Sequence, residues 1–116
     1  MIPALSPAAR RDWLRLARTE GVGPVTFAQL ITRYAEPGRA LEALPELARR
    51  GGRSQPLAIP SLAEIEAELA AGAALGAQLL CACDQDYPTA LAALDPPPPV
   101  LWARGDVSLL DRSIVA

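Results

Sequence analysis

Four consecutive prolines, Pro96-Pro97-Pro98-Pro99, constrain this chain more than any other feature. Proline has no backbone N–H and a fixed φ, so it continues neither a helix nor a central strand. The segment must run as an extended, polyproline-like spacer, and the chain on either side of it belongs to separate elements. After it, Val100-Leu101-Trp102-Ala103-Arg104 reads as a strand stopped by Gly105-Asp106. Before it, Gln78-Leu79-Leu80-Cys81-Ala82-Cys83 is an almost unbroken apolar run, the pattern of a strand buried on both faces. Between them, Asp84 to Pro88 turns the chain and Thr89 to Leu94 has room for one or two helical turns. Ser113-Ile114-Val115-Ala116 reads as a third strand. Because an apolar strand breaks off there, the expectation is a fragment or an incomplete product.

Upstream the periodicity changes to that of helices. Ser6 is a natural N-cap with Pro7 at the first helical position, and the helix should run to about Thr19. Ala9, Trp13, Leu16 and Ala17 share its apolar face, with Arg11, Arg15 and Arg18 opposite. A second helix begins at Pro24, where Phe27, Leu30, Ile31 and Tyr34 follow i, i+3, i+4, i+7. Glu36-Pro37-Gly38 reads as a turn. Leu41, Leu44 and Leu47 suggest more helix, which Pro45 should split into two short pieces before Gly51-Gly52 ends them. Residues 53–60 read as a linker. Ser61-Leu62-Ala63-Glu64 is a capping box, opening a helix that turns Leu62, Ile65 and Leu69 inward and is weakened by Gly72 and Gly76.

Composition then removes whole classes of chemistry. The 116 residues suffice for one domain or two very small ones, and 51% hydrophobic against 21% charged residues predicts a folded chain. There is no His and no Lys, all eleven cations being Arg. Serine and cysteine triads, His-ligated metals, Schiff-base lysines and P-loop lysines are thereby excluded from these residues. Cys81 and Cys83 lie two apart, on one face of the expected strand, too close for an unstrained disulfide and too few for a zinc site. They read as small buried residues, with no metal and no cofactor. No signal peptide is evident and no apolar run approaches the roughly 20 residues of a membrane helix, so a cytoplasmic protein without membrane contact is expected. Residues 1–55 carry nine Arg against five acids and residues 56–116 two against eight, so the net charge of −2 hides a basic first half suited to an anionic partner.

One local motif can meet such a partner. Gly21-Val22-Gly23-Pro24-Val25-Thr26 joins the first two helices as the hairpin of a helix-hairpin-helix element. Its glycines permit a tight turn with exposed backbone, and free N–H groups at the next helix start can hold a phosphate. Such contacts read the nucleic-acid backbone and not its sequence. Gly21, Gly23 and Thr26, helped by Arg15 and Arg18, are the candidate DNA-binding residues. Trp13 and Phe27 sit on apolar faces and read as core. Glu64 and Glu68, on an exposed helix face without metal partners, read as surface and not as a catalytic pair.

The stretch Asp84-Gln85-Asp86-Tyr87-Pro88-Thr89-Ala90-Leu91, then Leu94-Asp95, the four prolines and Val100-Leu101-Trp102-Ala103-Arg104-Gly105-Asp106, resembles the DNA-processing protein A (DprA, also called Smf) family. The upstream helices with their G-h-G hairpin are similar to that family's small helical, sterile-alpha-motif-like domain, so the resemblance spans essentially the whole chain. It implies an α+β fragment: a helical bundle over 1–76, then, over 77–116, the first strands of a truncated Rossmann-like DNA-binding domain. It implies a protein, not an enzyme, that binds single-stranded DNA and loads the RecA recombinase in natural transformation. The family's principal DNA pocket and the surfaces for a homodimer and for RecA would lie in the Rossmann-like part after Ala116. Tyr87, Pro88, Leu91, Pro97, Leu101 and Gly105 match the family motif and are expected to be structural, tucking the linker onto the sheet. Two other readings stay open: a protein-interaction module without DNA affinity, and the first part of a Rossmann-like nucleotide-cleaving enzyme.

Overall fold

Three of the helices begin on a proline at the first helical position, where the missing N–H has no acceptor to lose. The computed structural model describes residues 5–52 and 57–105. It contains α1 (Pro7–Ala17), α2 (Pro24–Tyr34), α3 (Pro37–Arg50), α4 (Leu62–Ala74), β1 (Ala77–Cys81), α5 (Thr89–Ala92) and β2 (Val100–Arg104). The expected strand at 113–116 lies outside the described residues.

Local signals set the helix starts. The Ser6 hydroxyl accepts from the Ala9 N–H at 3.1 Å, and the Ser61–Glu64 capping box is complete in both directions. Ser61 Oγ accepts from Glu64 N–H while Ser61 N–H donates to the Glu64 carboxylate, both at 3.2 Å. Pro37 and Gly38 form the first turn of α3 and not a separate turn. Pro45 does not split α3, which runs unbroken for 14 residues. The buried face of Ala40, Leu41 and Leu44, together with the half-buried Leu47, holds the helix together, while the Pro45 ring itself is exposed.

One core runs through the helices and the strand pair. Leu14, Leu16, Ala40 and Cys81 are fully buried, with Trp13 and Phe27 in edge-to-face contact at 4.9 Å between ring centres. Leu14, absent from the expected apolar face of α1, is among its most buried residues. In α4, Ile65 points inward and Leu69 is half-buried, but Leu62 is 53% exposed. Leu62 is the first residue of its helix, and no described element covers it.

β1 and β2 pair antiparallel, Leu79 opposite Trp102 and Cys81 opposite Val100. Their side chains at Leu79, Cys81, Val100 and Trp102 join the helical core. Leu80, Leu101 and Ala103 form a second, smaller cluster with Tyr87 and Leu91 on the other face. β1 is thus buried on both sides, as its apolar run predicts. It ends at Cys81, so Cys83 falls in the following turn and does not share a strand face with Cys81. An antiparallel pair joined through a turn and α5 is the arrangement described here, and a parallel doubly wound sheet is not present among the described residues.

Candidate nucleic-acid interface

The hairpin between α1 and α2 is built by local hydrogen bonding. Arg18 N–H donates to Leu14 C=O as α1 ends, and Val22 N–H donates to Thr19 C=O across the turn. The buried Thr19 hydroxyl donates to Arg15 C=O at 2.9 Å. Gly21 holds φ +82°, the left-handed conformation that favours glycine. Val22 tucks against the core, while Gly21, Gly23, Pro24, Val25 and Thr26 are exposed. Gly23 caps α2 with no side-chain hydrogen bond, and its C=O accepts from Phe27 N–H at 2.8 Å. Helix geometry leaves the Val25 and Thr26 N–H groups without an acceptor inside α2, directed out of its start. Of the three backbone candidates, Gly21 and Gly23 lie on the exposed turn and Thr26 in the exposed first turn of α2.

Gly23 differs from Gly21 in an informative way. Its φ of −89° is open to any residue, and a Cβ placed there would meet nothing within 4 Å. Neither backbone conformation nor internal packing asks for glycine at that position.

The arginines are differently placed. Arg15 Nε donates to Pro60 C=O at 2.6 Å, and Arg18 makes two bonds to the Glu68 carboxylate at 2.9 and 3.1 Å. Arg11 pairs with Glu66 at 2.8 Å. The arginine stripe of α1 thus lies along the seam with α4, where it is matched by acids and by the 57–60 segment. The Arg18 bonds hold the Glu68 carboxyl below its ordinary pKa; burial opposes them and the Trp102 indole N–H, donating at 2.9 Å, reinforces them. Glu68 is accordingly half-buried and engaged, not one of two exposed surface acids.

Residues 7–71 match the family model described as the DprA-like N-terminal HHH domain. The chain belongs to this family. That membership suggests a DprA-like role in DNA processing. No curated protein matches the chain. In this DprA-like domain the hairpin and the arginine stripe both lie within the matched residues, whereas the Asp84–Gly105 stretch follows them.

That second stretch carries its own network. Asp84 accepts two bonds from the Arg10 guanidinium, at 2.8 and 2.9 Å, and a third from Cys81 N–H at 2.8 Å. Burial works to raise the Asp84 pKa, but these bonds and the Arg10 charge outweigh it and hold the carboxyl below its usual value. Burial pushes the Cys81 thiol up to about 12, against the pull of Arg10, whose Nη1 lies 3.4 Å from the sulfur. Tyr87 is buried with its hydroxyl donating to Pro98 C=O at 2.7 Å, and Pro88 behind it is fully buried. Pro99 C=O accepts from the Trp13 indole at 2.8 Å and from Ala82 N–H at 3.0 Å. Pro97 and Leu101 are half-buried, Leu91 packs under Tyr87, and Gly105 ends β2 at φ +87°. Arg10 was not among the residues singled out from sequence. Its partner is 74 positions away, and nothing local distinguishes it from Arg11.

Proposed function

We propose that this chain serves a DprA-type protein that binds single-stranded DNA and delivers it to the RecA recombinase during transformation, without catalysing a reaction. On this reading β1 and β2 lead into a Rossmann-like domain that carries the main DNA pocket and the homodimer and RecA surfaces. The helical bundle adds an accessory phosphate contact at its hairpin, through the backbone of Gly21, Gly23 and Thr26. The observation that carries the contact is Gly23: a glycine that the fold does not need, at an exposed helix start, suits close approach by a phosphate. Arg15 lies in the last turn of α1 and supplements the contact with the guanidinium N–H groups left beside its Nε bond to Pro60. Arg18 contributes only by leaving Glu68.

Gly23→Asp tests this cleanly. Aspartate is a favoured N-cap and its charge suits the positive end of α2, so stability should rise by about 0.5–1 kcal/mol. The same charge repels phosphate. Fluorescence anisotropy with an oligothymidylate at low salt should show binding by the unaltered chain, weakening as salt is added, and its loss in the variant. Equal binding by both would exclude the hairpin.

A second reading, a protein-docking bundle without DNA affinity, is favoured by the pairing of Arg11 and Arg18 with Glu66 and Glu68, which neutralises most of the α1 stripe. Absence of binding to DNA at any salt would select it.

A further inference from the structure

At the ends of α1 and α2 remote from the hairpin, a groove of about 730 Å³ opens between the start of α1, the end of α2, the start of α3 and the turn after β1. That volume lies within the roughly 300–1,000 Å³ of sites that enclose side chains or small ligands. Its walls are mostly apolar: Leu5, Ala9, Trp13, Ile31 and Pro37. Two carboxylates interrupt them. Glu36 is held by Arg39 at 3.1 Å. Asp12 is half-buried against the first turn of α3, where a Cβ on Gly38 would stand 3.1 Å from its Oδ2. Its sequence neighbours Arg10 and Arg11 turn away to Asp84 and Glu66. Among the described residues no hydrogen bond or ion pair reaches Asp12.

A carboxylate without a partner, half out of water in an apolar groove, is complementary to a cation on an apolar stem. Arginine fits better than lysine, because its guanidinium is planar, weakly hydrated and able to grip both carboxylate oxygens. We propose that this groove docks a partner protein segment presenting an arginine beside an apolar side chain, with the guanidinium on Asp12 and the apolar group against Leu5, Ala9 and Trp13. The groove and the hairpin then take ligands of opposite charge, and the groove's role is independent of whether the hairpin meets DNA.

The test titrates the full, isotopically labelled chain with the peptide Ac-Leu-Arg-Leu-NH2 and with its glutamine counterpart Ac-Leu-Gln-Leu-NH2, following amide and indole resonances. The arginine peptide should shift the signals of Ala9, Trp13 and Gly38 and leave Gly21 and Gly23 unmoved. Exchange of its arginine for glutamine, or Asp12→Asn in the protein, should each weaken binding by about tenfold or more, the loss of a charge-assisted pair. Unmoved hairpin signals in the Asp12→Asn chain report an intact fold, and the peptide pair decides the matter on the unaltered chain in any case. No shift at millimolar peptide, equal binding of both peptides, or full binding by Asp12→Asn would overturn the proposal.

Discussion

Gly72 sits inside α4, where glycine costs a helix about 1 kcal/mol relative to alanine. A Cβ at this position would stand 2.3 Å from the Trp102 ring, far inside any real contact. The six-membered ring of the indole packs against the helix there and its N–H reaches Glu68 at 2.9 Å. Overpacking of this kind costs about 1–3 kcal/mol, so it should outweigh the propensity gain. Gly72→Ala is therefore expected to destabilise the chain by about 1–2 kcal/mol, read as a lowered urea midpoint, with Trp102 fluorescence altered in the native state. The sequence shows Gly72 only as a weak point in a helix. Its reason is a tryptophan 30 positions later, across the chain, which no local pattern reveals.

Among the elements, the starts of helices were legible and their interiors less so. Ser6 with Pro7, Pro24, and Ser61 with Glu64 act through atoms within four residues, so spacing alone predicts them. Pro45 is the contrary case. Its local cost should break α3, yet the buried Ala40, Leu41 and Leu44 hold the helix continuous. Pro45→Ala should restore the missing hydrogen bond at an exposed position and stabilise the chain by about 2 kcal/mol, measurable by denaturant unfolding. The exposed hairpin of the candidate site was equally legible, because glycine spacing and a proline at N1 define it locally. The fate of Arg11, Arg15 and Arg18 was not. A stripe of arginines looks the same in sequence whether it faces solvent or the acids of another helix.

At the scale of the described fold, the basic first half and the acidic second half meet in ion pairs that join α1 to α4 and to the turn after β1. Arg10–Asp84 ties α1 to the turn after β1, Arg18–Glu68 ties α1 to α4, and Trp102 ties β2 to the same glutamate. Both carboxyls have lowered pKa values in the fold. A group with a depressed folded pKa contributes its stability above its unfolded pKa and loses it as pH falls through the folded one. Stability is thus expected to be level near neutrality and to fall progressively once pH drops below the ordinary carboxylate range of about 4. Asp84→Asn should lower stability near neutrality and flatten this fall. A thermal-unfolding series in pH for both chains checks it, and an unchanged slope in the variant would count against the network.

The proposed function turns on contact between the hairpin of this DprA-like domain and nucleic-acid backbone. Amide chemical-shift mapping of the labelled chain with an oligothymidylate at low salt tests it most directly. Shifts are expected to concentrate at Gly21, Gly23, Val25 and Thr26 and to fade as salt rises. Binding with those amides unmoved, or shifts gathered around Asp12 and Gly38 instead, would contradict it.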